Sequence, residues 1–310
     1  MIYPWLEPAN AEFSERFNEG RLPHALLLYG PRDTGKTQLG ASFIASILCL
    51  ENQHPACGSC RSCQLLNTGA HPDRQEITFE EHPKTGNMRK ELVVDQVRRL
   101  IAGLNLTNTV SRRKAAFIHP VEASNRNTAN ALLKTLEEPP GETVLVLVSH
   151  DTGHLPATIR SRCQNLRVCP ADSKSAVDWM CSEVKITPAE AETALQAAAG
   201  SPLKAVRMIR DGSIEHYHRV VSILEDLRSR RTGAGSAVAA LDDVDPELLW
   251  SWISLSAAED LKEVIKSPAV AIQVSRLQSL ADRNRGLMPT PVRKDFLLQD
   301  WLIQWSRIRA

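Results

Sequence analysis

Three short apolar runs give the clearest structural signal in the chain. Residues 25–29, 115–118 and 143–149 consist almost wholly of apolar residues and show no alternation with polar positions. Such continuous runs are typical of strands that are buried on both faces of a parallel sheet. Between the last two runs, residues 129–138 have helical spacing, and Pro139-Pro140 ends that helix. The pattern predicts an α/β domain, a parallel sheet with helices on both faces.

Beyond residue 170 the apolar positions recur with helical spacing alone. Short helices are predicted over 175–184, 188–199 and 202–210, and longer ones over 217–230, 246–265, 270–284 and 294–309. The segment 232–236 is predicted to be a linker. The last helix carries a wide apolar stripe made of Leu297, Leu298, Trp301, Leu302, Trp305 and Ile308. Packing within its own domain would account for most of this stripe.

Length and charge limit the organisation further. A chain of 310 residues predicts two or three domains, which we place at 1–168, 169–212 and 213–310. The formal net charge of +1 argues against a whole-surface grip on nucleic acid, so any DNA contact must be local or supplied by partners. The basic run Arg112-Arg113-Lys114 either makes such a contact with a phosphate backbone or is the solvated edge of the strand that follows.

The chain has no apolar run of the roughly 20 residues that a membrane span requires. Its first residues, Met1-Ile2-Tyr3-Pro4-Trp5, have neither the basic start nor the apolar core of a signal peptide. We therefore expect a soluble, cytoplasmic protein.

A glycine-rich loop directly follows the first predicted strand. Its sequence, Gly-Pro-Arg-Asp-Thr-Gly-Lys-Thr, fits the phosphate-binding pattern Gly-x-x-x-x-Gly-Lys-Thr. Gly30 and Gly35 would let backbone N–H groups surround phosphate oxygens, Lys36 would offer its charge to the outer phosphates, and Thr37 could reach Mg²⁺. With a predicted helix after the loop, the context favours ATP or ADP with Mg²⁺ as the ligand. The alternative is an inherited loop that keeps its shape but stays empty.

Four of the seven cysteines form a group, Cys49, Cys57, Cys60 and Cys63. Four thiolates can close a tetrahedral structural zinc site, and small residues around the last three permit the tight turns of a knuckle. An iron–sulfur cluster or plain free thiols are the alternatives. His54 lies nearby and is interpreted as a bystander. The sequence thus favours a Cys₄ zinc module over residues 49–63.

The string from Asn130 to Pro140, followed by Ser161-Arg162-Cys163, resembles the clamp-loader branch of the AAA+ ATPases. The resemblance extends nearly end to end and is strongest between residues 20 and 165. It implies an AAA+ module with a zinc insertion, then a three-helix lid and an all-α collar through which subunits assemble as a ring. The string Ala70-His71-Pro72-Asp73 also matches this family, but its chemistry does not follow from the sequence.

One departure from this family concerns hydrolysis. Active relatives carry an acidic pair at the end of the strand 115–118, where one residue holds Mg²⁺ and the other polarises the attacking water. This chain has His119-Pro120 there, and neither side chain suits that work. Glu122 lies beyond the proline, and the sequence does not indicate where it points. Hydrolysis at this chain's own loop is therefore not expected.

The motif Ser161-Arg162-Cys163, by contrast, is complete. The resemblance implies that Arg162 reaches across a subunit boundary to the nucleotide of a neighbour, as an arginine finger supplied in trans. An ordinary interface contact or a buried ion pair is the alternative role. Loss of the acidic pair with retention of the arginine is the pattern of a subunit that serves its neighbour's site.

The resemblance therefore implies a non-hydrolysing clamp-loader subunit that helps load a sliding clamp onto primed DNA. The implied partners are gamma- or tau-type ATPase subunits, a delta subunit, the beta clamp indirectly, and primer–template DNA. Two other functions compete with this one. A self-sufficient ATPase motor of the gamma or tau type is favoured by the intact loop and opposed by His119-Pro120. A small-molecule P-loop kinase is opposed by the cysteine group and the helical tail.

Overall fold

The computed structural model describes residues 2–82, 85–151, 153–264, 267–288 and 290–308. The chain divides into two compact units, residues 1–179 and residues 180–310. The division falls inside the region that we predicted as a separate small helical domain. Each unit is described by itself.

The first unit is built on a five-stranded parallel sheet. Its strands are β1 (Ala25–Tyr29), β2 (Arg74–Ile77), β3 (Lys114–Ile118), β4 (Thr143–Ser149) and β5 (Gln164–Arg167). Their order across the sheet is β2-β3-β4-β1-β5, and every neighbouring pair is parallel. The predicted buried strands are confirmed as β1, β3 and β4, the three central ones.

Among the described residues of the first unit, six α-helices lie wholly within it and a seventh starts there. They are α1 (Glu7–Asn18), α2 (Lys36–Leu48), α3 (Arg61–Asn67), α4 (Val94–Leu104), α5 (Arg126–Glu137), α6 (Ala157–Arg160) and α7 (Ser173–Val184). Leu132 and Leu136 of α5 and Val97 and Leu100 of α4 are buried in one core cluster with the inner strands. This burial explains the helical spacing of apolar residues in both segments.

In the described part of the second unit, all regular secondary structure is helical. After the end of α7 it contains α8 (Pro188–Ala197), α9 (Pro202–Arg210), α10 (Ile214–Arg228), α11 (Ala234–Ala240), α12 (Pro246–Val264), α13 (Pro268–Leu287) and α14 (Lys294–Trp305). The predicted helices are confirmed within a few residues; Ile265 and Arg309, where two of them were expected to end, lie outside the described residues. The apolar stripe of α14 is largely buried, with the Nε1 of Trp305 donating to the carbonyl of Leu224 at 3.2 Å.

Two local predictions were wrong. The expected linker at 232–236 contains the start of α11. Lys114 is no solvated edge residue, since it is buried and its Nζ donates to the carbonyls of Gly103 and Leu104 at 2.8 and 3.1 Å. It therefore caps the C-terminal end of α4.

None of the helices among the described residues is both long enough and apolar enough to cross a bilayer.

Candidate nucleotide and metal sites

The glycine-rich loop lies at the carboxyl end of β1, between the ends of its two neighbours in the sheet. Gly30 N donates to Ser149 O at 3.3 Å, and Val168 N donates to Tyr29 O at 2.8 Å. A Cβ at Gly30 would stand 2.1 Å from the carbonyl oxygen of Val168, so only glycine fits. Gly35 has φ +87°, in the left-handed region, and directly precedes α2. The two glycines thus allow the turn from strand to helix that a phosphate-binding loop requires.

The side chain of Lys36 is buried inside this loop. Its Nζ donates to the carbonyl of Pro31 and lies 3.3 Å from Thr34 Oγ1. Burial lowers the pKa of Lys36 to about 8, although the negative charge of Glu122 opposes that shift. Thr37, the second residue of α2, is half-buried. The ammonium is therefore held by loop oxygens at the position where a phosphate would compete for it.

The N-terminal segment covers one side of the loop. Trp5 Nε1 donates to Thr34 O at 2.8 Å. The ring of Tyr3 lies so close to Gly35 that a Cβ there would meet it at 2.6 Å. Tyr3 stacks on Trp5 with ring centroids 5.2 Å apart, and both rings meet the edge of Trp179. These aromatic contacts fix the loop from outside.

A histidine follows each of the strands β3 and β4, and His119 stands at the position where the resemblance implies an acidic pair. His119 Nε2 lies 2.7 Å from Glu76 Oε1, and this hydrogen bond is the main cause that lowers the pKa of Glu76. Burial, with the positive charges of Lys36 and Arg32, lowers the pKa of His150 to about 4. His150 is therefore neutral at physiological pH, and neither histidine provides a negative charge beside the loop.

Glu122 is the acidic residue near the loop whose direction the sequence left open. Its Oε1 accepts the backbone N–H of His150 at 3.0 Å, which fixes the carboxylate at the end of β4. Its Oε2 is buried and has no hydrogen-bond partner among the residues that the structure describes. The same carboxylate lies close enough to the loop to raise the pKa of Lys36 against the effect of burial. The Nδ1 of His150 is also buried without a partner in this described part.

The four predicted cysteines come together at the opposite end of α2. Their sulfur atoms all lie within 4.8 Å of one another. Cys57 Sγ and Cys63 Sγ are 3.8 Å apart, which is the spacing that a tetrahedral site with Zn–S bonds of about 2.3 Å requires. The Cys57 thiol accepts the backbone N–H of Cys60 at 3.3 Å, and such bonds lower its pKa to about 6. The donor set and its geometry fit a structural zinc ion.

His54 lies outside this group, as expected. Its ring nitrogens are each 2.8 Å from a polar oxygen, Ser46 Oγ for Nδ1 and Asn10 Oδ1 for Nε2. It packs among Phe13 and Phe43, between α1 and α2. The histidine thus joins two helices.

The structure explains His71 of the unassigned string at 70–73. Its Nδ1 accepts the backbone N–H of Asp73 at 3.1 Å, so the neutral ring carries its proton on Nε2. That nitrogen lies 2.9 Å from Ser62 Oγ and 3.2 Å from Ser111 Oγ. Both hydroxyls donate to the carbonyl of Leu48 at 2.7 Å. Because Leu48 precedes Cys49 and Ser62 precedes Cys63, the network anchors two of the four thiols.

Asp73 holds the backbone of residues 109–111, which include Ser111 of the same network. Its carboxylate accepts three backbone N–H groups, from Thr109, Val110 and Ser111, each at 2.8 Å. Burial would raise its pKa, but these bonds prevail and hold the pKa below its ordinary value. Sequence reasoning missed this role because the partners lie nearly forty residues further along the chain.

Arg162 follows α6 and lies against the end of α5. Its Nε donates to Glu137 Oε1 at 2.6 Å, and its NH1 donates to Thr158 O at 3.0 Å. The Arg162 side chain is 33% exposed and that of Glu137 is 49% exposed. Arg162 therefore forms an ion pair with Glu137. One alternative role considered from the sequence was a buried ion pair, whereas this pair lies at the surface.

These features define the class of protein. A parallel sheet of this strand order, a phosphate-binding loop after its β1 strand and a Ser-Arg-Cys motif after α6 are the features of an AAA+ module. The crystal structure of a DNA polymerase III gamma subunit-related protein from Thermotoga maritima has a similar fold. It matches with a TM-score of 0.52 at 16% identity, covering 97% of this chain and 100% of that chain.

Comparison of sequences identifies the family. The family model described as DNA polymerase III, delta subunit, matches residues 6–172, more than half of the chain. DNA polymerase III subunit delta′ of Pseudomonas aeruginosa is 34% identical, with 99% of this chain and 98% of that protein covered. The subunit delta′ of Escherichia coli is 35% identical over 67% of this chain and 61% of that protein. The chain belongs to the delta′ subunit family of DNA polymerase III, as the resemblance predicted.

Proposed function

We propose that this delta′-type subunit contributes to ATP hydrolysis in trans rather than at its own loop. The observation that carries the proposal is the position of Arg162, a partly exposed guanidinium at the surface, oriented by Glu137 and by the carbonyl of Thr158. A guanidinium held this way can neutralise charge on a neighbour's leaving phosphoryl group without reorganising in the transition state. The neighbour would be a gamma- or tau-type ATPase subunit.

The chain's own loop would bind ATP or ADP with Mg²⁺ and would not hydrolyse the nucleotide. Gly30, Gly35 and Lys36 would hold the phosphates, and Thr37 would reach the metal ion. The end of β3 provides His119 in place of a carboxylate, and His119 is engaged by Glu76. The bound nucleotide would therefore stabilise a conformation of the subunit and would not be hydrolysed there.

The remaining assignments follow the same proposal. Residues 169–212 would act as a lid and residues 213–310 as the collar of a heteropentamer. Zinc on Cys49, Cys57, Cys60 and Cys63 would be structural, since four protein ligands leave no open position on the ion. A delta subunit, the beta clamp and primer–template DNA would be met within the assembly.

The direct test is hydrolysis by a reconstituted clamp loader that carries Arg162→Ala in this subunit. Loss of an arginine finger lowers the rate at the affected site by about 10³ to 10⁵. We expect single-turnover hydrolysis in the presence of clamp and primed DNA to lose the phase contributed by that site. Arg160→Ala is the matched control, because Arg160 is exposed and two residues away. Equal kinetics of both variants and wild type would refute the trans role.

Glu122 favours a second candidate, the self-sufficient motor. Its buried Oε2 lacks a partner among the described residues, and the carboxylate is close enough to the loop to act on the pKa of Lys36. A carboxylate in that place could polarise water. If the chain were a motor, the isolated subunit would hydrolyse ATP and Glu122→Gln would abolish that activity. Our proposal expects no turnover by the isolated subunit.

A further inference from the structure

The guanidinium of Arg162 is held at the surface of the first unit by two acceptors. Its Nε and NH2 both meet the same oxygen, Oε1 of Glu137, and its NH1 donates to the carbonyl of Thr158 at 3.0 Å. An arginine has five N–H groups, and these contacts engage three of them. With respect to the residues that the structure describes, one N–H of NH1 and one of NH2 therefore stay available for an external acceptor.

The available N–H groups suit a phosphate. A guanidinium that keeps an N–H on each of its terminal nitrogens can still bind two phosphate oxygens at once. The contacts with Glu137 and Thr158 thus fix the side chain without using up its capacity to bind an anion.

Both members of the ion pair stand on firmly anchored backbone. Leu136, which precedes Glu137 in α5, is fully buried, and its carbonyl lies 2.9 Å from His24 Nε2. On the side of Arg162, Ile159 of α6 is fully buried as well. A contact between two such supports holds a functional group more precisely than a contact between mobile loops.

The stability of the fold does not account for a carboxylate at position 137. Glu137 is the last residue of α5, where a negative charge meets the negative end of the helix dipole. Its ion pair with Arg162 lies at the surface, and such pairs contribute little to the free energy of unfolding. Removal of this side chain should therefore leave the fold intact.

The negative charge of Glu137 does not account for its position either. A carboxylate near a leaving phosphoryl group opposes the neutralisation that an arginine finger provides. What Glu137 offers to Arg162 is a hydrogen-bond acceptor at a fixed place. A guanidinium that is ordered before the reaction loses less freedom in the transition state.

We infer that Glu137 is a positioning residue for Arg162, which holds the guanidinium in the orientation that meets the neighbour's phosphate. It acts as a hydrogen-bond acceptor and not through its charge, so a neutral acceptor of the same size replaces it. The inference rests on the proposed function, because it concerns the same arginine.

The first experiment measures single-turnover hydrolysis by the reconstituted loader with clamp and primed DNA. Glu137→Ala should slow the phase that depends on Arg162 by about tenfold to 100-fold and leave the ATP affinity unchanged, because a misplaced group loses rate and not binding. Glu137→Gln keeps the acceptor and should stay within about threefold of wild type. Glu138→Ala is the matched control, since Glu138 is the adjacent exposed glutamate and forms no ion pair within the described part of the chain.

The outcomes separate this inference from the proposed function. If Arg162→Ala removes the phase and Glu137→Ala leaves it unchanged, the inference is overturned and the trans role stands. Equal losses in Glu137→Ala and Glu137→Gln would also overturn it, because the charge would then be the active property. If Arg162→Ala itself has no effect, the proposed function fails and the inference fails with it.

The second experiment observes the positioning directly in the isolated full chain. Nuclear magnetic resonance of ¹⁵N-labelled arginine reports the exchange of the Arg162 Nε–H with water, and Arg162→Lys assigns the signal by its loss. We expect exchange at least about tenfold faster in Glu137→Ala than in wild type, with Glu137→Gln close to wild type and thermal unfolding unchanged in both. A signal that stays equally protected in Glu137→Ala would show that Glu137 does not hold the guanidinium.

Discussion

Helix α2 connects two sites that are built in opposite ways. At its N-terminal end, beside the phosphate-binding loop, Glu122 Oε2 and His150 Nδ1 are buried without a partner among the described residues. At its C-terminal end, beside the cysteines, the carbonyl of Leu48 accepts two hydroxyl groups and Asp73 accepts three backbone N–H groups. Buried polar atoms cost free energy when they lack partners. The first end is thus arranged to receive a ligand, whereas the second is arranged to stay fixed.

The difference indicates which end stabilises the fold. In a network whose polar atoms are all paired, each hydrogen bond contributes to the stability of the fold. In a site with unpaired buried polar atoms, those atoms are available to bind a ligand. Substitutions at the cysteine end should therefore lower stability, and substitutions at the loop end should change ligand binding with little effect on stability.

Removal of metal should have the largest effect. We expect the purified chain to contain one zinc ion and Cys60→Ser to lose it. The free energy of unfolding should then fall by more than about 4 kcal/mol, because binding of structural zinc contributes directly to folding. Cys169→Ser, which changes an exposed cysteine outside the group, should retain both zinc and stability. Metal analysis with thermal unfolding measures this, and a stable chain free of zinc and iron would contradict the metal assignment.

Asp73→Ala should have the next largest effect. Three backbone N–H groups would lose a charged acceptor, which should cost about 3 kcal/mol in the free energy of unfolding. Glu122→Gln, the comparable change at the loop end, should cost less than about 1 kcal/mol, since its Oε1 can still accept the His150 N–H. Urea unfolding at neutral pH gives both values. Similar losses in the two variants would contradict the contrast between the two ends.

Because the pKa of Asp73 is lowered in the folded state, the free energy of unfolding should depend on pH, and the direction of that dependence is defined. A carboxyl group whose pKa is lower in the folded state contributes stability above its ordinary pKa of about 3.9. That contribution is lost as the pH falls through the lower folded pKa. Asp73→Asn should therefore flatten the acid side of the stability curve. An unchanged acid limb would show that Asp73 is not held as a carboxylate.

Lys36→Met should have the smallest effect on stability. Exchanging a buried ammonium for an apolar side chain of similar length is often neutral, so we expect a change within about 1 kcal/mol. Nucleotide affinity should fall at least about tenfold, because the charge that meets the outer phosphates is gone. Isothermal titration with ATP and thermal unfolding of the apo chain separate the two quantities. A large loss of stability would place Lys36 in the structural network instead.

The sequence predicted the central strands but not the edges. Strands β1, β3 and β4 are buried inside the sheet and therefore read as continuous apolar runs. Strands β2 and β5 are the two edge strands, and their polar residues give no such signal. Pairing with an inner strand, which depends on distant residues, determines both of them.

The same division holds for the sites. The loop at Gly30 and the cysteines at 49–63 are local patterns, so spacing alone was sufficient to find them. The bond from Glu122 to His150 and the network of His71 with Ser111 join residues far apart in the chain. Single-sequence patterns contain no information on such contacts. For this reason Glu122 was left without a direction and the string at 70–73 without a role.

The most direct test of the account is ATP binding and turnover by the isolated chain. We predict saturable ATP binding that Lys36→Met weakens, with no hydrolysis above the level of that variant. Brisk hydrolysis that Glu122→Gln abolishes would contradict the central claim and would make this subunit a motor that uses Glu122 in place of the missing acidic pair.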